Sequence, residues 1–395
     1  MYTLPLHIPW HRRLLYTFLL LIVAYAAVEG VTTWLWMHGT LEPESHWVYE
    51  NNGTGWSYSF DPILGYALSS QPARIATVAS NGVIETTGTI RGNNLGFPDD
   101  HDFTPQRDDP TRVRVAVFGD SFTAGYYAPR SWPEVAEERA PQIDFMNFAV
   151  DGGGLVNWWS VVTRHLAPQR YELDGVVFAV FGDDLRRRFS IYDDGYRVDG
   201  ADVFYGRVPL AQISRLPETR TDAQGYLEPV DRFVRVTPER YEALLRGEWR
   251  PRSARPFRPF LLARALGIAR GLAASPPEPP ADPGFDPTRL RLMEEIGAAI
   301  NDRGIPMLVV YLPWRDEFRD KDDPLGSVDE VREFATLIGA DFLDGRAAFA
   351  GVQGGEFRGC WLPYDGHFSE LGMQRFGDFV ADNVETWLPK SPPVP

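Results

Sequence analysis

The residues best suited to chemistry lie at the end of an apolar run. The stretch VAVFGDSFTAG, residues 115–125, passes from apolar side chains into Gly119, Asp120 and Ser121. Such a run predicts a buried strand, and a glycine after it allows a tight turn. Ser121 would then present its hydroxyl and its own N–H at the strand end. A serine there either belongs to an ordinary turn or is the nucleophile of an acyl transfer, which needs a general base, a carboxylate and oxyanion donors nearby.

The best candidate for the general base is His367, in the polar stretch YDGHFSELG. Asp365 stands two residues before it, and a turn can bring that carboxylate onto the imidazole Nδ1, which leaves Nε2 for Ser121. Four of the seven histidines lie in or near the N-terminal apolar segment. His165 falls inside a predicted helix, where a core or surface role is the simpler interpretation. The sequence therefore indicates Ser121, His367 and Asp365 as one constellation.

Alternating strands and helices must position these residues. From residue 111 onward, short apolar runs alternate with amphipathic segments, which predicts a parallel sheet with right-handed crossovers. In such a sheet the active site lies beyond the carboxyl ends of the strands, where Ser121, Gly152–Gly154 and Gly182–Asp184 would emerge. The predicted strands are 113–118, 143–150, 175–181, 305–312 and 341–343, and the predicted helices start at Ser131, run near 156–166 and over 290–301, and close the chain from Met373.

GDSFTAG and the downstream DGHFSELG together resemble the motifs of the SGNH/GDSL hydrolase family. The similarity covers roughly residues 111–390. It implies an α/β protein with a flavodoxin-like three-layer α/β/α sandwich, the SGNH hydrolase fold, and a Ser-His-Asp triad. By position, the resemblance makes Ser121 the nucleophile, His367 the base and Asp365 the orienting acid.

The resemblance also implies an oxyanion hole. Its donors would be the N–H of Ser121 and that of a glycine in NFAVDGGG, with Gly152 the best match and Gly153 the next. A third block of the family supplies an asparagine, where this chain has Asp183 in the run GDD. An ionised Asp183 would repel an oxyanion, and losing one donor typically lowers the rate about 10²- to 10³-fold. Asp183 would still donate if burial beside Asp184 kept its carboxyl protonated.

A second departure concerns the acid of the triad. Most members of the family place it three residues before the histidine, whereas the spacing here is two, in Asp365-Gly366-His367. This shorter spacing resembles that of the alginate-type O-acetyltransferases and their relatives.

Composition and charge exclude several classes of protein. The 395 residues carry a net charge of −15, so the chain lacks the basic surface that a nucleic-acid-binding protein needs. The single cysteine, Cys360, excludes internal disulfides and cysteine-based zinc sites, and is expected to be a small buried side chain. No pair of histidines has the His-Glu-x-x-His spacing, so neither a metal nor another cofactor is expected.

Residues 14–36 form a long apolar segment near the N-terminus. Leu14–Val28 carries no charge, and it is preceded by Arg12 and Arg13 and followed by acidic residues. This asymmetry favours a cytoplasmic N-terminus and an extracytoplasmic (periplasmic) remainder. The segment is long enough to cross a hydrocarbon core of about 30 Å as a retained single-pass anchor. A signal peptide that is cleaved, leaving a secreted protein, is the alternative.

The sequence thus predicts three parts. Residues 1–38 are a cytoplasmic tip and transmembrane anchor, 39–110 an extracytoplasmic lead-in, and 111–395 an SGNH-like α/β domain with an insertion at about 186–288. Within the insertion, the arginine-containing segment 258–274 is expected to be a helix, either covering the domain or lying on a membrane surface.

The predicted function is that of a membrane-anchored serine esterase or acyltransferase. Its substrate would be an O-acyl group, O-acetyl above all, of a carbohydrate outside the cytoplasm. Water as the acceptor would make the protein an esterase, and a sugar hydroxyl would make it a transferase. The alternative is a catalytically weak or inactive SGNH-like protein that serves as an accessory or scaffold subunit of a membrane protein complex, which Asp183 and the long insertion favour.

Overall fold

The computed structural model describes residues 9–37, 45–50, 58–61, 65–79, 82–125, 127–186, 198–199, 202–203, 219–221, 227–229, 233–250, 285–318 and 328–388. Its strands are β1 Ser45–Glu50, β2 Tyr58–Asp61, β3 Gly65–Leu68, β4 Ala73–Ala79, β5 Ile84–Ile90, β6 Val113–Phe118, β7 Ile143–Asn147, β8 Gly175–Val180, β9 Val198–Asp199, β10 Asp202–Val203, β11 Thr219–Thr221, β12 Leu227–Pro229, β13 Phe233–Val236, β14 Met307–Tyr311 and β15 Asp341–Asp344. Its helices are α1 Trp10–Met37, α2 Ser121–Ala124, α3 Trp132–Arg139, α4 Leu155–Val161, α5 Ala167–Gln169, α6 Pro238–Leu245, α7 Pro287–Asn301, α8 Val328–Ile338, α9 Gly354–Gly359 and α10 Glu370–Trp387.

The central sheet has five parallel strands in the order β7-β6-β8-β14-β15. Counted along this domain the order is 2-1-3-4-5, which is the flavodoxin-like arrangement. Every residue of β8 and β14 is buried, because the middle strands of a sheet covered on both faces have no solvent-facing side. The predicted flavodoxin-like α/β/α fold is therefore confirmed.

Helices cover both faces of this sheet. Side chains alternate along a strand, so Ala116 and Phe118 pack into one layer whereas Val115 and Val117 pack into the other. The first layer contains buried side chains of α4, α7 and α8, and the second contains those of α3 and α10. With both faces filled by apolar packing, the ends of the strands are left to carry functional residues.

Strand β6 and helix α3 lie where the sequence predicts them. Helix α3 begins after Ser131, whose side chain accepts the N–H of Glu134, while the Glu134 carboxylate accepts the N–H of Ser131 at 2.5 Å. This reciprocal pair is the capping box expected from Ser-Trp-Pro-Glu.

Strand β7 is shorter than predicted. It ends at Asn147, whereas the apolar run continues to Val150. The neighbouring strand β6 already ends at Phe118, so the last residues of the run bond to the turn that follows it: the Val150 N–H donates to Gly119 O at 3.2 Å. The chain after β7 is thereby tied to the turn that leads into Ser121.

A second sheet has four strands in the order β13-β1-β4-β5. Strands β1, β4 and β5 come from the lead-in, whereas β13 comes from the insertion and pairs in parallel with β1. The insertion also supplies α6, in which the Tyr241 hydroxyl donates to Ile75 O of β4 at 2.7 Å. The lead-in and this part of the insertion therefore form one sheet, called the lead-in sheet below. The predicted helix over 258–274 lies outside the described residues.

Helix α1 lies at the N-terminal end of the described chain. It is the one helix within the described ranges that is long and apolar enough to cross a membrane, with 26 residues over Trp10–Leu35 and a mean hydropathy of 2.1. A signal sequence has the same length and composition. The helix therefore fits both a membrane span and a signal sequence.

Candidate active site

Ser121 stands at the turn between β6 and the short helix α2. Gly119 makes this turn possible, because a Cβ at its position would lie 2.1 Å from Thr123 Oγ1. The Asp120 carboxylate accepts the Phe122 N–H at 2.9 Å and so caps α2. The local sequence thus places the Ser121 side chain at the carboxyl end of a central strand, as the sequence predicts.

The structure brings Ser121, His367 and Asp365 together in one hydrogen-bonded chain. Ser121 Oγ lies 2.7 Å from His367 Nε2, although the two residues are 246 positions apart. The other ring nitrogen, Nδ1, bonds to Asp365 Oδ1, and the same oxygen accepts the His367 main-chain N–H at 3.3 Å. An ionised carboxylate accepts only, so this contact fixes the proton on Nδ1 and leaves Nε2 to accept the proton of the serine hydroxyl.

A tight turn carries Asp365 and His367. The Leu362 N–H donates to His367 O at 2.8 Å, and the Gly366 N–H donates to Leu362 O at 3.1 Å. Gly366 has a φ of +90°, and a Cβ there would lie 2.6 Å from Cη2 of Trp314. Glycine is thus required between the acid and the base, which explains why a spacing of two residues suffices in this turn.

The imidazole of His367 lies between two aromatic rings. Its centroid is 4.5 Å from that of Phe122 and 4.1 Å from that of Tyr127. Burial alone would lower the pKa of His367, but the negative charge and hydrogen bond of Asp365 outweigh it, helped by Asp120 and Asp151, so the pKa is raised. The ring is therefore held in one orientation and can accept a proton readily.

Two main-chain N–H groups at neighbouring strand ends are available for an oxyanion. In the described part of the chain, neither the N–H of Ser121 nor that of Gly152 donates a hydrogen bond. The Gly153 N–H, in contrast, donates to Val150 O at 2.8 Å, in a turn in which Gly152 has a φ of +65°. Of the two candidate glycines, Gly152 is thus the one whose N–H makes no other hydrogen bond in the described part of the chain.

Asp183 lies on the other side of Ser121, after strand β8. It is the second residue of a single 3₁₀ turn, Gly182–Leu185, and its side chain is half-buried. The turn is fixed by Asp184, whose carboxylate accepts the Phe181 N–H at 2.9 Å. The structure thus places Gly152 and Asp183 at the ends of the two strands that flank β6, while Asp184 serves the main chain of its own turn.

Sequence reasoning missed several side chains at this site. Phe122 and Tyr127 sandwich the base, and Glu85 of β5 accepts the main-chain N–H groups of Tyr364 and Asp365. Phe122 follows the nucleophile directly, but nothing in the sequence marks Tyr127 or Glu85. His165, by contrast, is buried with Nε2 at 3.1 Å from the Tyr171 hydroxyl, so that of the core and surface roles expected for it the core role is the observed one.

No protein-family model and no curated protein matches the chain. Among solved structures, a lipase/acylhydrolase from Enterococcus faecalis is 12% identical, with coverage of 71% of this chain and 99% of that one and a TM-score of 0.33. A GDSL-like lipase from Bacteroides thetaiotaomicron is 10% identical over 70% and 89% of the two chains, with a TM-score of 0.32.

A third similar structure is a variant of an acetyl-xylooligosaccharide esterase from Geobacillus. It is 13% identical, with coverage of 71% of this chain and 96% of that one and a TM-score of 0.32. The strand order of the central sheet, established above from the chain's own pairing, is that of the SGNH hydrolase fold expected from the sequence.

Proposed function

We propose that the protein is a membrane-anchored serine esterase or acyltransferase that acts on O-acyl groups, above all O-acetyl groups, of a carbohydrate outside the cytoplasm. The observation that carries the proposal is the 2.7 Å contact between Ser121 Oγ and His367 Nε2, with Asp365 on the opposite ring nitrogen. This is the geometry by which a serine nucleophile, its base and an orienting carboxylate are recognised on unrelated folds.

In this mechanism Ser121 Oγ attacks the acyl carbonyl carbon while its proton passes to His367 Nε2. The negative charge that develops on the carbonyl oxygen is received by the N–H groups of Ser121 and Gly152. The intermediate collapses when Nε2 returns the proton to the departing sugar oxygen, which leaves an acyl group on Ser121. Water or a second hydroxyl then attacks that ester and gives its proton to Nε2. The bond between the acyl group and Ser121 Oγ breaks as Nε2 passes this proton to Oγ, which restores the free serine.

Two features near the triad support a substrate that carries a small acyl group on a hydrophilic carrier. The rings of Phe122, Phe181 and Trp314 form an aromatic wall near His367, with centroids 5.7–6.0 Å apart. Such a wall suits contact with a short acyl group. At the other end of α2, a cavity of about 630 Å³ lies between the lead-in sheet and the segment following Ser121. Its lining includes Arg74, Thr87, Thr89, Arg91 and Arg130, whose polar groups suit sugar hydroxyls.

Helix α1 supports the membrane part of the proposal. Its leucines, valines and aromatic side chains are largely exposed, which suits contact with lipid better than contact with water. The positive-inside rule then places the α/β domain on the outer side of the membrane. Alkaline carbonate extraction tests this directly: the full-length chain should stay in the membrane fraction, whereas release into the supernatant would indicate a cleaved signal sequence.

Asp183 favours a second candidate function. Because a carboxylate stands where the family resemblance places an amide donor, the chain would also suit a catalytically weak accessory or scaffold subunit of a membrane complex. Stable co-purification with a partner, together with hydrolysis of p-nitrophenyl acetate no faster than by Ser121→Ala, would favour this alternative.

The test of the proposed function is acetyl release from acetylated oligosaccharides. The wild type should release acetate and Ser121→Ala should not, because only the former can form the acyl-enzyme. A matched control is Ser160→Ala, which changes a buried serine of α4 instead. Equal release by wild type and Ser121→Ala would contradict the proposal, and acetyl transfer to an added oligosaccharide, compared with release into water, would distinguish transferase from esterase.

A further inference from the structure

Glu85 occupies an irregular position on the edge of the lead-in sheet. Strand β5 is the last in the order β13-β1-β4-β5, and its pairing with β4 shifts between Thr77, which faces Thr86, and Val78, which faces Ile84. Glu85 therefore stands opposite no residue and forms a β-bulge. Such bulges redirect a side chain and are common at sheet edges next to functional sites.

The redirected carboxylate reaches the turn that carries the triad acid. Glu85 Oε1 accepts the Tyr364 N–H at 2.7 Å and the Asp365 N–H at 3.2 Å. The other oxygen, Oε2, accepts the hydroxyl of Ser45 at the start of β1. One side chain of the lead-in sheet thus binds the main chain of Asp365, and a second side chain of the same sheet holds the first.

These bonds fix a part of the turn that its own hydrogen bonds leave open. The bonds of Leu362 and Gly366 close the turn at its ends, whereas the N–H groups of Tyr364 and Asp365 point away from it to Glu85. The position of the Asp365 main chain sets where its carboxylate meets the His367 ring. A displacement of about 1 Å at a catalytic group can cost about 10²-fold in rate.

The charge of Glu85 argues for a role through the main chain. Burial raises the pKa of Glu85, and the nearby charge of Asp365 raises it further, against the opposing effect of the hydrogen bonds that Glu85 accepts. A second carboxylate beside the triad acid is therefore held there at an electrostatic cost. Its hydrogen bonds from two main-chain N–H groups offset that cost, because these donors would otherwise have no acceptor.

We propose that Glu85 is a positioning residue of the active site, which fixes Asp365, and through it His367, by accepting the N–H groups of Tyr364 and Asp365. The inference rests on the proposed function of Ser121, His367 and Asp365. It assigns to the lead-in sheet a direct part in the geometry of the triad.

Two substitutions at Glu85 separate the effect of side-chain length from the effect of charge. Glu85→Gln removes the charge but keeps an oxygen at the same distance, which can accept both N–H groups while its amide donates to Ser45. Glu85→Asp keeps the charge but shortens the side chain by one carbon–carbon bond, about 1.5 Å, so that the carboxylate no longer reaches the turn. Both are assayed in the full-length protein in detergent, with p-nitrophenyl acetate as substrate.

We expect kcat to depend on the length of the side chain at position 85 and not on its charge. Glu85→Asp should lower kcat about 10²-fold with KM changed less than about twofold, whereas Glu85→Gln should retain most of the wild-type kcat. The matched control is Glu50→Ala, which breaks the ion pair with Arg74 elsewhere in the same sheet. It should lower the melting temperature without the loss of kcat.

Three outcomes overturn the inference: an active Glu85→Asp with an inactive Glu85→Gln, no change in either variant, or an equal loss of kcat in Glu50→Ala. Labelling of the wild type with a fluorophosphonate separates this failure from that of the proposed function. If Ser121 is labelled and the Glu85 variants behave in one of these ways, only the positioning role is wrong. If Ser121 of the wild type is not labelled, the proposed function fails, and the role of Glu85 fails with it.

Discussion

Replacing Asp365 by asparagine removes the buried charge that orients His367. The Asp365 side chain is only 2% exposed, and its Oδ1 accepts from both Nδ1 and the main-chain N–H of His367. The substituted asparagine would be uncharged, and its amide nitrogen would donate to Nδ1 and favour the tautomer in which Nε2 carries the proton. His367 could then no longer accept the proton of Ser121, and the imidazolium formed during attack would lose its counter-charge.

The expected magnitude follows from these contacts. Loss of the orienting carboxylate with the geometry intact lowers kcat about 10⁴-fold in a serine triad. At about 1.36 kcal/mol per factor of ten, this is a rise of about 5 kcal/mol in the activation barrier. The free energy of unfolding should fall by about 1 kcal/mol, because hydrogen bonds to a charged carboxylate are replaced by weaker ones to a neutral amide.

The pH dependence of kcat/KM supplies an independent test, because the direction of its shift is predicted. Asp365 raises the pKa of His367, and only the neutral imidazole can act as base, so the acid limb of kcat/KM lies above the ordinary histidine range in the wild type. Asp365→Asn should move that limb to lower pH. Asp151→Asn is the matched control, because Asp151 raises the same pKa by less, and its shift should be smaller and in the same direction.

The assay is hydrolysis of p-nitrophenyl acetate by the full-length protein, normalised to the concentration of folded protein. A variant Asp365→Asn within about tenfold of the wild-type kcat, with an unmoved acid limb, would refute the reasoning, since the losses expected for this carboxylate are far larger.

Three further predictions concern the same site. Asp183→Asn should raise kcat, by up to about 10²- to 10³-fold if the amide supplies the missing oxyanion donor, and an unchanged or lower kcat in the same ester assay would contradict the repulsion argument. Gly366→Ala should lower the free energy of unfolding by about 1–3 kcal/mol and abolish most activity, because it places a side chain at a φ of +90° with its Cβ 2.6 Å from Trp314. Adding Trp314→Ala should remove the contact but not the backbone strain, so thermal denaturation should show only a partial recovery of stability. Because the pKa of His367 is raised on folding, the stability it adds over His367→Gln should be full below the ordinary histidine pKa of about 6.5 and decline as the pH rises above that value, and a melting-temperature difference that grows with rising pH would show the opposite sign.

The meeting of Ser121 with His367 could be predicted because each residue lies in a short motif at the end of an element. A parallel sheet brings strand ends to one edge, and the Asp365-Gly366-His367 turn is local in sequence. The parallel sheet followed from the alternation of apolar runs with helices, its flavodoxin-like arrangement from the family resemblance, and the start of α3 from the capping box at Ser131.

The residues themselves do not separate the two candidate glycines, and only the family resemblance ranks Gly152 before Gly153. The turn after β7, in which the Gly153 N–H bonds to Val150 O, supports the same choice. The end of β7 at Asn147 likewise depends on where its neighbour β6 stops, which is a property of the pair rather than of either strand.

The role of the lead-in also lay beyond the sequence. No strand is predicted around Glu85, because the residues that follow it are polar or small, and the bulge that redirects its side chain leaves no mark in the residue pattern. The parallel pairing of β1 with β13 joins residues such as Trp47 and Phe233, far apart along the chain, and has no local signal.

The most direct test of the central claim is covalent labelling of the full-length protein with a fluorophosphonate, followed by mass spectrometric mapping of the modified residue. The proposed triad predicts modification at Ser121, its loss in Ser121→Ala and a much slower reaction in His367→Ala, because Nε2 must take the hydroxyl proton. No labelling of the folded wild type, or labelling that persists in Ser121→Ala, would contradict the assignment of Ser121 as the nucleophile.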